Sequence, residues 1–118
     1  MRQFILACAL AVAATAAAGA QEIGGTYDVA GTNLDGSEYT GTAEITGLSE
    51  TTCAIAWTTG ETTSDGVCMR NGIAFAAAHV QGDALGLLIY EIIDDGSMVG
   101  FWTVAGLDGA GTETLTPQ

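Results

Sequence analysis

Apolar and polar residues alternate with a period of two along nearly the whole chain beyond residue 20, and Gly, Asn and Asp interrupt the alternation about every ten residues. This pattern constrains the fold more than any other feature. A period of two puts successive side chains on opposite faces of a strand, whereas a helix needs a period of 3.6, and no window here has one. The interruptions fall at 33–37, 47–50, 60–61, 71–72, 81–83, 94–96 and 108–109. Asn71-Gly72 and Asp108-Gly109 are residue pairs that accept the positive φ of tight hairpin turns. Eight strands are expected between the interruptions, over residues 25–31, 38–46, 52–58, 63–69, 73–80, 84–93, 97–105 and 110–116. Eight short strands joined by short turns predict an all-β antiparallel meander that closes into a small barrel. A two-sheet β-sandwich is the alternative. It is less favoured, because a Greek key needs a long return connection.

Parity then sorts side chains onto faces. Tyr39, Gly41, Ala43 and Ile45 share one face of the second strand, and Cys53, Ile55 and Trp57 share one face of the third. Ile73, Phe75, Ala77 and His79 group in the fifth strand, Met98, Gly100, Trp102 and Val104 in the seventh, and Gly111, Glu113 and Leu115 in the eighth. The sixth strand is apolar on both faces apart from Glu91. Such a strand is either covered on both sides or turns one oily face outward.

Residues 1–20 read as a targeting segment. Arg2 begins it, an apolar run over 4–14 follows, and Ala18-Gly19-Ala20 supplies the small residues of a signal-peptidase site. Cleavage before Gln21 is expected, leaving one domain over 21–118. The run is too short to span a membrane comfortably, and only seven residues precede Cys8, too few for a lipoprotein signal. The mature chain would be periplasmic or extracellular, with no membrane span.

Cleavage would leave Cys53 and Cys68, an even pair in an exported chain, which predicts a disulfide. If the two face each other, Thr59 faces Thr62 and Gly60-Glu61 forms a two-residue turn with Gly first, as type II′ prefers. Counted from that turn, the cysteines fall on a hydrogen-bonded pair, the wider kind, so a bulge or a one-residue shift stays open.

The formal charge is −12, with 14 acids against two arginines and no lysine. That balance argues against binding nucleic acid, which needs cations to displace counterions, and against docking on anionic lipid. After cleavage Arg70 would be the one basic side chain, and the net charge −13.

Two blocks carry a resemblance. Gly25-Thr26-Tyr27-Asp28-Val29, Gly31-Thr32-Asn33, Asp35-Gly36-Ser37 and Tyr39-Thr40-Gly41 make the first. Trp57, Tyr90, Asp95-Gly96-Ser97-Met98, Gly100, Trp102 and Gly111-Thr112-Glu113 make the second. Together they resemble a family of small exported bacterial proteins of unknown function, some of which carry a fibronectin-binding label that nothing in these residues supports physically. The Cys53/Cys68 pair departs from the family's pattern. In layout the chain is more distantly similar to avidin-like and lipocalin-like barrels and to periplasmic protease- and lysozyme-inhibitor barrels. Shared architecture does not carry function.

The candidate sites are few. His79 is the one histidine and lies in an apolar strand with no nucleophile motif nearby, so it reads as a partly buried structural residue. One His and a cystine cannot supply a zinc site. Asn33 and Asp35 lie in a stretch that partly resembles a calcium loop, although it lacks the leading Asp and distal Glu, and ordinary turn chemistry is the simpler reading. No cofactor motif is found. Glu113 falls on an interior face, where a carboxylate needs partners, and Arg70 or a Tyr hydroxyl is the expected donor. Tyr27, Tyr39, Trp57, Tyr90 and Trp102 either line a pocket or pack the core.

The function expected is a non-catalytic binding module for a partner protein or a small apolar ligand. A periplasmic hydrolase inhibitor is the alternative, and a hydrolytic enzyme comes after it for want of a base–nucleophile pair. Aromatics pointing outward would indicate a protein partner, and aromatics around a void a ligand.

Overall fold

The computed structural model describes residues 23–118, so the targeting segment expected at 1–20 lies outside the described residues. Eight strands follow one another: β1 (Gly25–Thr32), β2 (Glu38–Gly47), β3 (Thr52–Thr59), β4 (Thr62–Asn71), β5 (Ala74–Gln81), β6 (Ala84–Ile92), β7 (Met98–Val104) and β8 (Gly111–Pro117). Each pairs antiparallel with the next, and β1 pairs with β8 from Tyr27 opposite Pro117 to Thr32 opposite Thr112. The sheet is therefore a closed barrel with no free edge, and the sandwich alternative is excluded. Similar short strands read as barrel or sandwich until the first and last are seen to pair.

Turn chemistry sets the registers. Three hairpins close through two residues, at 60–61, 72–73 and 82–83, and each turn begins with a glycine at positive φ: Gly60 (65°), Gly72 (62°) and Gly82 (62°). Among the described residues only glycines adopt positive φ, and a turn with Gly at its first central position is the type II′ preference. This corrects the reading of Asn71-Gly72 as the turn pair. Asn71 is the last residue of β4, the turn is Gly72-Ile73, and β5 begins one residue later than expected.

Two connections repeat one design. In 33–37 and 93–97 an Asp-Gly-Ser triplet places Gly36 (φ 91°) and Gly96 (φ 89°) in the left-handed region. Gly36 N–H donates to the Asn33 carbonyl and Gly96 N–H to the Ile93 carbonyl, both at 2.9 Å. Asp35 and Asp95 each accept the N–H of the serine two residues on, both at 2.9 Å. These are three-residue hairpin loops with the glycine at the bulge position.

The β3–β4 register puts Cys53 opposite Cys68 and Thr59 opposite Thr62 with no bulge. The disulfide is formed across a Cα–Cα distance of 5.0 Å, within the range a cystine spans. The one-residue uncertainty at this pair is thus removed.

Alternation decides the core. Tyr27, Ile45, Cys53, Ile55, Cys68, Phe75, Ile92, Met98 and Leu115 point inward and are buried. They crowd the end of the barrel that holds the β2–β3, β4–β5 and β6–β7 connections, and they fill it. Phe75 and Tyr90 pack with ring centroids 5.7 Å apart. The other end carries the β1–β2, β3–β4, β5–β6 and β7–β8 connections, and its interior residues are arranged differently.

Candidate ligand-binding site

Toward that second end the inward positions of the strands alternate between glycine and aromatic. Tyr39 lies directly across the ladder from Gly31, His79 from Gly86, Tyr90 from Gly100 and Trp102 from Gly111. The pairing is steric. A Cβ on Gly31 would meet both the Thr112 carbonyl and, at 2.6 Å, the Tyr39 hydroxyl, one on Gly111 both the Thr32 carbonyl and, at 2.6 Å, the Trp102 indole nitrogen, and one on Gly86 would enter the His79 ring. Each of these three rings is laid flat over a neighbouring strand because that strand has no side chain there. The rings line a wall instead of meeting in the middle.

The result is a cup. A cavity of about 410 Å³ opens between the turns at this end, walled by Tyr39, Trp57, His79, Leu88 and Trp102, with Glu113 at its floor and Asn33, Thr59 and Gln81 at its rim. Tyr39 and Trp102 meet edge to face at 6.2 Å, and Trp57 and His79 at 5.3 Å. The Trp102 N–H donates to the Thr32 carbonyl at 3.1 Å, which fixes the ring against β1.

Glu113 organises the floor. It is buried, at 4% exposure, and sits in β8 between Gly31 and Gly100. The Tyr39 hydroxyl donates to Oε1 at 2.6 Å. The Tyr90 hydroxyl donates to Oε2 at 2.6 Å, and the Trp57 N–H to the same oxygen at 2.9 Å. Three neutral donors thus solvate the carboxylate. Arg70 is not among them: its guanidinium donates to the Gly72 carbonyl at 3.0–3.2 Å at the opposite end of the barrel. Of the two donors expected for Glu113, Tyr hydroxyls are found and Arg70 is not. Arg70 is on the inward face of β4 as parity requires, but one strand length away from the cup.

The electrostatics follow from burial. Tyr39 and Tyr90 have phenol pKa values raised well above the usual 10, first by desolvation and then by the Glu113 charge. The His79 pKa is lowered from its usual 6.5 by desolvation, which outweighs the opposing pull of Glu113, so the imidazole is neutral at pH 7. Among the described residues His79 Nδ1 is buried without a hydrogen-bond partner.

The five candidate aromatics divide. Tyr39, Trp57 and Trp102 line the cavity, and Tyr90 supports its floor from below. Tyr27 is at the filled end, where its hydroxyl donates to the Gly24 carbonyl at 3.4 Å, and it belongs to the core. Asn33 and Asp35 are engaged within their own turn. Both turn their side chains onto Ser37: Asn33 Nδ2 donates to Ser37 Oγ at 3.0 Å, and Asp35 accepts from that hydroxyl at 2.6 Å. Those bonds lower the Asp35 pKa. Among the described residues no three His, Cys, Asp or Glu side chains gather as metal ligands. His79 is more than the structural residue its sequence context suggests, since its ring forms part of the cavity wall. The glycine opposite it is the sequence signal for that place.

No protein-family model and no curated protein matches this chain. Solved structures do. A redesigned β-barrel, mFAP1, bound to DFHBI is 22% identical, with a TM-score of 0.70 over 83% of this chain and 97% of that one. A de novo designed fluorescence-activating β-barrel is 18% identical, with a TM-score of 0.66 over 85% of this chain and 97% of that one. A point mutant of the fluorescent protein UnaG is 12% identical, with a TM-score of 0.53 over 81% of this chain and 96% of that one. At these identities the likeness establishes the fold, a closed antiparallel barrel.

Proposed function

We propose that this protein is an exported, non-catalytic binding barrel that holds one small, flat, partly apolar ligand in the cup, and that the ligand is uncharged or cationic. The observation that carries this reading is the hollow end of the barrel, about 410 Å³ walled by aromatic rings, against a filled opposite end. That volume is in the range of small-molecule sites, and eight-stranded barrels are wide enough for one such ligand. Inward-facing aromatics around a void favour a ligand over a protein partner at this site. A barrel solved with a small molecule bound, mFAP1, shares the fold.

The charge preference follows from Glu113. Its carboxylate is held by neutral donors, so its negative charge is not cancelled within the cup. A carboxylate or sulfonate ligand would meet that charge in a low-dielectric setting, whereas a cation would gain both from it and from the surrounding ring faces. Export is supported by the disulfide and by the pattern of residues 1–20.

Dye titrations test this reading. Cationic thioflavin T and neutral Nile red should bind the purified mature protein with enhanced fluorescence, and anionic anilinonaphthalene sulfonate should bind at least about tenfold more weakly. Ser64→Phe, which fills the cup from β4, should abolish binding. Retained binding in that variant would place the site elsewhere, and preferential binding of the sulfonate would overturn the charge argument.

A further inference from the structure

The outside of the barrel is two-faced. On β1, β2, β3 and β8 the outward residues are Thr, Ala, Asp and Glu, and none is a large apolar side chain. On β4 through β7 eight large apolar side chains point into solvent, each 45–66% exposed. The ladder aligns them in rows. Met69, Ala76, Ile89 and Phe101 are consecutive cross-strand partners, and Val67, Ala78 and Leu87 form the next row. A membrane-spanning barrel needs an apolar band around its whole circumference, and the threonine and acid half does not supply one.

The relief of this face is self-complementary. Ala76 and Ala78, the outward positions of β5 between Met69 and Val67 on β4 and Ile89 and Leu87 on β6, are small, so β5 forms a short trough that Val80 closes at one end. β6 beside it carries leucine and isoleucine at the matching rows and forms a ridge. A copy rotated by half a turn sets its own ridge into this trough and receives the ridge in return, the geometry of an isologous two-fold contact. Eight half-exposed large side chains present on the order of 800 Å² around half of the barrel's circumference, so a second copy covers the part nearest β5 and β6 and the contact falls at the small, reversible end of interface sizes. Charge agrees: Asp65 and Glu91 flank the rows, so the middle of the face is uncharged on a chain of net −12.

We propose that the mature protein pairs with a second copy of itself through the outward face of β4–β7, the β6 ridge of each copy seated in the β5 alanine trough of the other. The cup opens at the barrel's end, so pairing through the side leaves both cups accessible. Because the two copies repel through unbalanced acids outside the contact, added salt tightens the dimer.

Sedimentation equilibrium of the full mature protein tests this at low salt and at about 0.5 M NaCl. The expected result is a monomer–dimer equilibrium that shifts toward dimer with salt. Ile89→Glu puts a charge on each ridge and should weaken the dimer at least about 100-fold. Ala76→Trp fills the trough without adding charge and should do the same, with the far-ultraviolet spectrum and Nile red binding retained. A wild-type protein that stays monomeric at every salt and protein concentration overturns the proposal. So does a dimer that survives both substitutions, or a monomer that floats with neutral phosphatidylcholine vesicles.

Discussion

At the scale of single residues, Glu113 carries the polar chemistry of the interior. A buried carboxylate is tolerated only when its oxygens are hydrogen-bonded, and here two tyrosines and a tryptophan do this. Glu113→Gln would turn an amide N–H₂ toward groups that are themselves donors. It should cost about 2–4 kcal/mol in urea unfolding, whereas Glu44→Gln on the exposed face of β2 should stay within about 0.5 kcal/mol. Equal small effects would mean that the floor network does not hold the barrel together. The same network makes stability depend on alkaline pH. The raised pKa values of Tyr39 and Tyr90 mean that the folded state keeps two protons the unfolded state releases from about pH 10 upward. Stability should therefore be intact below pH 10 and fall as pH rises above it. Phenolate absorbance from these two rings should appear together with loss of the near-ultraviolet circular dichroism, and phenolate formation in a still-folded barrel would contradict the burial of the floor.

Among the elements, the β3–β4 hairpin is the most constrained. A two-residue turn closes one end, and the Cys53–Cys68 bond closes the other six pairs away. The cystine is buried at the filled end, where it packs with Ile55 and Phe75 as part of the core. Cys53→Ala removes both the loop constraint and a packed sulfur atom, and it should lower stability by about 2–4 kcal/mol in thermal or urea unfolding. An unchanged unfolding curve would show that the bond adds nothing in solution. Strand positions are legible in the sequence because turn glycines and alternation agree at every boundary to within about two residues. The Asn71-Gly72 turn reads one residue out of place because asparagine and glycine both accept positive φ. Only the strand pairing decides which of them stands at the corner.

The whole molecule combines one oily flank, one threonine and acid flank, and an excess of negative charge, with Arg70 the one Lys or Arg among the described residues. Twelve unbalanced negative charges on a chain this small repel one another, and about 0.1 M salt limits that repulsion to about 10 Å. The melting temperature should accordingly rise between low salt and about 0.5 M NaCl. It should rise also in a variant that cannot dimerise, such as Ile89→Glu, which separates intramolecular screening from association. A melting temperature independent of salt in that variant would mean that the acids are compensated locally. The closed sheet also explains why a chain so rich in exposed β-branched and apolar residues need not aggregate edge to edge, since every strand has two partners.

What the sequence determines by itself is local. Strand count, face assignment, most turn positions to within a residue and the inward direction of Glu113 follow from a period of two and from the few backbone shapes that turn glycines allow. What only the tertiary structure decides is how distant strands meet. Tyr39 and Glu113 are 74 residues apart and Trp57 and Glu113 are 56 apart, so their contact depends on the closure of β1 on β8. Closure also leaves Arg70 and Glu113 at opposite ends although both point inward. Parity specifies the face a side chain takes but not its height along the barrel. Height is set by the stagger accumulated around all eight ladders, and that stagger brings the glycine-opposed rings together at one end, leaving it hollow.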